Sequence, residues 1–223
     1  MSALRRSVRV RLERGEFAPV IELAAADRRI VRVLVSLLYD PDELVRWRAV
    51  SALGHLAGAH PDLAQPLVTR LYWSLNDESG GIGWMSAPAL GEIGRRAPRL
   101  LSQCVRPLVR YLDEPFLLPG ALWAIGRLAP AYPAETREVV PEVALRCVST
   151  DPTVRAHAAF ALGAVGDGRA RSALTALADD ERPARLYEGG RLVTKEVREW
   201  AGEALSRLQA AEDRANEPHT PRH

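Results

Sequence analysis

Residue types that commonly carry catalysis are present in this chain, but their spacing assembles no catalytic constellation. The histidines His55, His60 and His157 are far apart in sequence, and no Ser-His-Asp or Cys-His arrangement can be built from spacing alone. Two cysteines, Cys104 and Cys147, form neither a disulfide framework nor a metal-binding spacing. We therefore expect no catalytic residue, no metal site and no cofactor, which favours a binding protein over an enzyme.

A glycine-rich segment, 76–84, is the best single candidate for a site. Its glycines are Gly80, Gly81 and Gly83. Glycine disfavours a helix by about 1 kcal/mol per residue, but a backbone without side chains lets a ligand come close and leaves amides free to hold an anion. Asp77 and Glu78 argue against phosphate, although beside Trp84 they could form a carboxylate site. A kinked repeat with a tight helix contact is the equal alternative.

The elements that position these residues repeat along the chain. Four segments open with Asp and run into an Ala-Leu-Gly or Ala-Ile-Gly triplet, with the Asp residues 37, 36 and 38 positions apart. The Asp residues are Asp40, Asp77, Asp113 and Asp151, and the glycines are Gly54, Gly91, Gly126 and Gly163. A fifth copy has Ser206 at the glycine position. Such a period holds two helices and two turns, and a helix pair of this size must stack on its neighbours to bury its apolar face.

Each repeat is predicted to contain a first helix before the Asp and a second helix after it. The Asp side chain would accept hydrogen bonds from the first free amides of the second helix. The first helices are predicted at 28–39, 63–74, 99–112, 136–148 and 170–178.

The segment from Asp151, DPTVRAHAAFALGAVGD, resembles the HEAT-like repeat of the phycobilisome-lyase (PBS lyase) type. The resemblance covers about 28–209 and implies an all-α fold, a right-handed α-α superhelix (HEAT-like solenoid) of about five helix pairs plus an N-terminal cap. Repeats of this type serve scaffolds, adaptors, chromophore lyases and a metal-dependent hydroxylase with paired His-Glu ligands. No His is followed by Glu here, so the hydroxylase activity is not carried over.

The chain divides into three parts on this interpretation. Residues 1–27 are expected to form capping helices, because a stack must cover its open end. Residues 28–211 are the repeat domain, interrupted at 179–193 by a β-hairpin or a looped lid. Residues 212–223 are polar and expected to be disordered.

Large aromatic residues fall on the side of the second helices that should be polar. When these helices are aligned on their glycines and stepped by 100° per residue, the apolar positions converge on one side. The opposite side, which a HEAT stack turns to its concave surface, carries Trp47, Trp84, Trp123 and Phe160, with Arg46 and Arg155 beside them. Four aromatics in register with arginine predict a binding groove. The alternative is that the rings pack between helices or under the 179–193 insertion.

Charge and hydropathy limit the classes of partner that the chain is expected to bind. Lys+Arg is 30 against Asp+Glu 28, a formal charge of +2, which is too balanced to indicate a nucleic-acid binder by itself. No apolar run follows the arginine-rich start and no stretch is long enough to span a membrane. We therefore expect a cytoplasmic protein.

The function predicted first is a non-catalytic adaptor, or scaffold, that binds a protein or peptide partner on the concave face. The first alternative is a lyase or chaperone for a flat conjugated ligand such as a tetrapyrrole. The second is a nucleic-acid-binding or glycosylase-like protein, for which the low net charge is unfavourable.

Overall fold

The computed structural model describes residues 2–76 and 83–216. The elements are α1 (Ala3–Arg14), α2 (Phe17–Ala26), α3 (Arg29–Leu37), α4 (Glu43–Ala59), α5 (Pro61–Leu75), α6 (Ser86–Arg96), α7 (Val105–Val109), α8 (Leu118–Leu128), α9 (Pro133–Glu138), α10 (Val140–Ala144), α11 (Pro152–Val165), α12 (Arg171–Thr175), β1 (Pro183–Glu188), β2 (Arg191–Glu196) and α13 (Val197–Asn216). Short 3-10 turns lie at Pro98–Leu100, Arg110–Asp113, Leu145–Val148 and Gly168–Ala170.

The second helices of the repeats form one continuous inner layer. In it α4 packs on α6, α6 on α8, α8 on α11, and α11 on α13. The remaining helices from α3 to α12 lie on the outer side of this layer, each beside the inner helix of its own repeat. The predicted all-α solenoid is therefore confirmed, with α1 and α2 packed against α3 and α4 at its start.

The repeat glycines allow the inner helices to approach closely. A methyl group at Gly54, Gly91, Gly126 or Gly163 would lie 2.6–2.8 Å from an atom of the next inner helix, well inside the distance at which carbon atoms attract. Each of these glycines faces the neighbouring inner helix, where only a hydrogen atom fits.

Helix starts follow the predicted aspartates only in part. Asp151 accepts from the amide of Thr153 at 2.8 Å and caps α11 as expected. Asp42, rather than Asp40, caps α4. Asp40 is buried and accepts from Arg5 and Arg9 of α1, each at 3.2 Å. This first aspartate therefore fastens the N-terminal helix to the first repeat.

The outer helices are more broken than the periodicity predicts. The expected helix 99–112 starts only at Val105, because Gln103 takes a left-handed φ of 55°. The expected helix 136–148 is divided near Pro141, which lacks the amide that a continuous helix needs. At the other end α13 continues to Asn216, so the first residues of the segment expected to be disordered are helical; the rest of that segment lies outside the described residues.

The interruption in the last repeat is an antiparallel hairpin. β1 pairs with β2 from Pro183–Glu196 to Glu188–Arg191. Gly189 and Gly190 have φ values of 58° and 82°, the positive angles that a two-residue type I′ turn requires. None of the helices in the described ranges has both the length and the apolar character needed to cross a membrane.

Candidate functional site

The hairpin crosses the face of the inner layer and joins its two ends. It leaves the last repeat before α13, yet Arg48 of α4 donates from Nε to the carbonyl of Gly190 at 3.1 Å. The same guanidinium donates to the carbonyl oxygens of Leu12 and Glu13. Arg185 of β1 also forms an ion pair with Glu43 of α4. The first and last repeats are therefore in direct contact through pairs of residues 142 positions apart in sequence.

The reach of the hairpin shows that this face is concave. Four helix-to-helix steps separate α13 from α4, a path of roughly 32–40 Å at ordinary interaxial distances. A six-residue strand spans only about 20 Å. The hairpin and the Arg48 side chain can close that gap only because the inner layer curves around them.

Three of the four aromatic residues predicted to line an open groove are buried on the face that the hairpin crosses. Trp47, Trp123 and Phe160 are only 8%, 2% and 6% exposed, so they do not form an open groove, and the alternative that the rings pack between helices or under the 179–193 insertion is the one that fits. Tyr187 of β1 stacks on Trp47 with ring centres 5.2 Å apart, and its carbonyl accepts from Trp123 Nε1 at 3.0 Å. Trp200, also buried, donates to the carbonyl of Ala184 at 3.2 Å. Trp47, Trp123 and Phe160 lie on one side of the inner layer, and the hairpin packs against that side through the contacts of Tyr187 with Trp47 and Trp123.

Trp84 is separate from this cluster. Helix α6 begins at Ser86, two residues after it, so Trp84 does not occupy the helical position that the alignment assigned to it. Its side chain is 49% exposed and lines a cavity of about 370 Å³ together with Gly83 and Phe116. The other predicted residues of the glycine-rich segment, Asp77, Glu78, Gly80 and Gly81, lie outside the described residues.

Arg46 and Arg155, predicted to flank the groove, have equivalent structural contacts. Each donates from Nη1 to a carbonyl six residues earlier, Arg46 to Asp40 at 2.7 Å and Arg155 to Ser149 at 2.6 Å. Arg155 is 3% exposed and also pairs with Asp180 at 2.6 Å. These contacts close the turns before α4 and α11, so a structural role accounts for Arg46 and Arg155 without a ligand.

Part of the concave face stays open beside the hairpin tip. A cavity of about 520 Å³ lies there, between α4, α6, α8 and α13. We call it the arginine recess, and its charged and polar side chains are Ser51, His55, Glu92, Arg95, Arg96, Arg127, Glu188 and Arg207. Trp123, Phe160 and Tyr187 form its apolar wall.

Glu92 is the centre of the arginine recess. Its carboxylate is 2% exposed and pairs with Arg127 of α8 at 2.5 Å, Arg95 at 3.1 Å and Arg96 at 3.5 Å. Burial alone would disfavour the charged carboxylate. The attraction of Arg127 and the hydrogen bonds from Arg95 and Arg127 outweigh it, and the pKa of Glu92 is lowered. The side chain is therefore ionised at neutral pH.

His55 fixes the opposite wall of the arginine recess. Its ring stacks on Phe17 with centres 5.1 Å apart, and Nε2 lies 2.9 Å from Nη2 of Arg96. Because a guanidinium only donates, Nε2 is the acceptor and the ring is neutral in this contact. Burial and the nearby charge of Arg96 both lower the pKa of His55.

The titratable groups of the fold provide little for covalent or metal chemistry. Burial raises the pKa of Cys104 and of Cys147 to about 12, so both thiols stay protonated and weakly nucleophilic. Across the described residues, no group of three or more His, Cys, Asp or Glu side chains is placed to hold a metal ion. The recess is suited to holding an anion through guanidinium groups.

The sequence did contain a signal for the recess that the aromatic pattern obscured. His55, Glu92 and Arg127 each follow the repeat glycine by one position. In successive inner helices these polar residues occupy equivalent places, and they meet on the concave face. Their charges differ from repeat to repeat, so the similarity between the repeats does not reveal them.

Family models and a relative agree with this architecture. The PBS lyase HEAT-like repeat model matches residues 154–180, and the HEAT repeat model matches residues 30–60. An uncharacterized protein of Archaeoglobus fulgidus is 30% identical over an alignment of 168 residues, which covers 72% of this chain and 87% of that protein.

Solved structures share the fold at low sequence identity. A designed armadillo repeat protein in complex with the peptide (KR)4 has a TM-score of 0.55 and 17% identity, covering 93% of this chain and 100% of that chain. An engineered protein has a TM-score of 0.56 and 17% identity, covering 94% and 100%. At such identities the likeness extends to the arrangement of helices only.

Proposed function

This chain belongs to the family of HEAT-like repeat proteins of the PBS lyase type, and we propose that it is a scaffold that binds a protein or peptide partner in the arginine recess. The observation that carries the proposal is the open cavity of about 520 Å³ on the concave face. The proposal keeps the concave face predicted from the sequence but moves the contact residues. The partner would meet arginines of α6, α8 and α13 rather than Trp47, Trp123 and Phe160.

The composition of the arginine recess supports protein recognition. Arginine is among the side chains that contribute most of the energy at protein interfaces. Here Arg127 lies over the ring of Trp123, with its guanidinium carbon 5.4 Å from the ring centre. Such a contact holds the long side chain in place, so less conformational freedom is lost when a partner binds.

The repeat fold gives a second, weaker support. The designed armadillo neighbour is described in complex with the peptide (KR)4, so a repeat protein of similar fold can bind a peptide. A Lys-Arg peptide would be repelled by the guanidinium groups of the recess, and the partner of this chain should differ from it in charge.

The other two predicted functions have less support. A flat conjugated ligand was expected to stack on the groove tryptophans, but the burial of Trp47 and Trp123 removes that surface. A nucleic-acid binder needs a basic stripe along the backbone path, whereas the arginines here converge on one cavity.

The proposal is tested by recovery of partners from the native host with the purified full chain as bait. Arg207→Gln removes one charge from the rim of the recess, and Arg99→Gln removes the same charge at an exposed residue that does not line it. We expect Arg207→Gln to reduce the recovered partner severalfold and Arg99→Gln to leave it unchanged. Equal recovery with both variants would refute a role of the recess.

A further inference from the structure

The arginine recess contains more positive than negative charge. One carboxylate, Glu92, is paired with three guanidinium groups, so two positive charges inside the recess have no counterpart there. At the rim, Arg207 pairs with Glu188 of the hairpin tip at 3.1 Å, which balances that arginine. The excess is therefore confined to Arg95, Arg96 and Arg127.

The central arginines also have hydrogen-bond donors to spare. Arg127 reaches Glu92 through Nε, and no acceptor within the described part of the chain lies in hydrogen-bond range of its two Nη nitrogens. Arg95 donates to the same carboxylate from Nε and Nη2, and its Nη1 likewise has no acceptor in hydrogen-bond range among the described residues. These side chains are 26–32% exposed, so their free N–H groups are accessible from the cavity.

The positions of these guanidinium groups are fixed before any ligand arrives. Arg127 is held between Glu92 and the ring of Trp123. Arg96 is held between Glu92 and His55, whose ring rests on Phe17. A set of cationic donors arranged around a buried carboxylate favours an incoming anion, because little reorganisation is required when it binds.

We propose that the arginine recess recognises the carboxylate side chains of an acidic peptide segment. This inference rests on the proposed function and names the chemistry of the partner. Arg95 and Arg127 donate to a carboxylate of the ligand through the free Nη groups, in the bidentate or paired geometry that guanidinium favours.

The size and surroundings of the recess favour an acidic peptide over a nucleic acid. A volume of about 520 Å³ fits a few side chains. Glu188 and Glu203 lie near Arg207 at the rim, so acidic side chains interrupt the basic surface there, and the long backbone of a polynucleotide would find no continuous basic path on that side. The chain as a whole carries a formal charge of only +2, and binding along a nucleic-acid backbone depends on a larger excess of positive charge.

The probe for this proposal is a fluorescein-labelled hexaglutamate peptide, with a hexaglutamine peptide of the same length as its control. Fluorescence anisotropy with the full chain at low salt should show saturable binding of hexaglutamate only, with affinity falling as salt is raised. Arg95→Gln should weaken this binding about tenfold through the loss of charge-assisted hydrogen bonds. Arg99→Gln, with the same loss of charge, should not change it.

Arg127→Gln removes a principal partner of buried Glu92, and that variant can fail to fold. Arg207→Gln leaves the three pairs of Glu92 in place and should weaken hexaglutamate binding by a smaller factor than Arg95→Gln. Circular dichroism melting of every variant shows whether a loss of binding reflects a loss of fold. Affinities of Arg95→Gln and Arg207→Gln that equal that of the unmodified chain would overturn the proposal.

The outcomes separate this proposal from the function on which it rests. If partner recovery depends on Arg207 while hexaglutamate does not bind, the scaffold proposal stands and the acidic chemistry is wrong. If hexaglutamate binds in the recess but Arg207→Gln leaves partner recovery unchanged, the acidic chemistry stands and the scaffold proposal fails. An oligothymidylate that binds more tightly than hexaglutamate would overturn the acidic-peptide proposal in favour of a phosphate polymer.

Discussion

Replacing Gly163 by alanine should weaken the fold, whereas the same replacement at Gly202 should strengthen it. Both glycines lie inside inner-layer helices, Gly163 in α11 and Gly202 in α13. They differ in what a new methyl group would meet. At Gly163 it would lie 2.6 Å from the Cα of Ala204 and 2.7 Å from its Cβ, while at Gly202 nothing lies within 4 Å.

The magnitude follows from two opposing terms. Alanine favours a helix over glycine by about 1 kcal/mol, and at Gly202 this gain is the whole effect. At Gly163 carbon atoms that prefer about 3.5–4.0 Å would be forced closer, so α11 and α13 must separate by about 1 Å. Overpacking of this kind costs about 1–3 kcal/mol. The upper value applies because the nearest atom is main chain, which leaves a net loss of about 2 kcal/mol.

Urea unfolding followed by circular dichroism at 222 nm measures both variants against the unmodified chain. The two free energies of unfolding should differ by about 3 kcal/mol. In thermal melts, Gly163→Ala should lower the midpoint by about 4–8 °C and Gly202→Ala should raise it by about 2–4 °C for a chain of this length. A Gly163→Ala protein within about 0.5 kcal/mol of Gly202→Ala would refute the reasoning that the repeat glycine exists for helix contact.

Three further predictions concern the hairpin and the buried charges. Tyr187→Phe removes the 2.9 Å hydrogen bond to Ser51 and should cost about 1 kcal/mol; a double-mutant cycle with Ser51→Ala checks it, and additive effects would contradict it. Burial lowers the pKa of His157 to about 4 from 6.5. The unfolded chain therefore binds this proton at a higher pH than the native state does, and the free energy of unfolding decreases by up to about 3 kcal/mol as pH falls from 6.5 to 4. Urea unfolding over that range should show the loss, and His157→Gln should abolish it; parallel curves would refute it. The lowered pKa of Glu92 means that its stabilisation is present above the ordinary carboxyl pKa of 4.5 and is lost as pH falls below it; acid unfolding of Glu92→Gln should lack this component, and an unchanged acid limb would argue against it.

The contact between the two ends of the chain makes this solenoid unlike an open repeat array. In an open array each repeat contacts only its neighbours, and stability is nearly a sum of local terms. Here the contacts of Arg48 with Gly190 and of Glu43 with Arg185 join repeats that are far apart. The hairpin therefore fixes the curvature of the inner layer, and with it the shape of the arginine recess.

Much of the architecture was determined by the sequence alone, because it depends on local order. A glycine recurring every 35–37 residues, with apolar residues at helical spacing before it, requires stacked helix pairs. The cap of α11 by Asp151 and the two-glycine turn of the hairpin depend on neighbours within a few residues, and such features can be inferred from a short stretch of sequence.

Only the tertiary structure decided where the hairpin lies and which face stays open. The helical periodicity places Trp47, Trp123 and Phe160 together correctly and leaves open whether the 179–193 insertion covers them; only the structure decides that Tyr187 of this insertion packs on Trp47 and Trp123. The position of the hairpin is set by contacts between residues about 140 positions apart, and such pairings leave no mark in local hydropathy. The arginine recess could not be predicted from the sequence either, because it forms only when arginines of two inner helices converge on the buried carboxylate of Glu92.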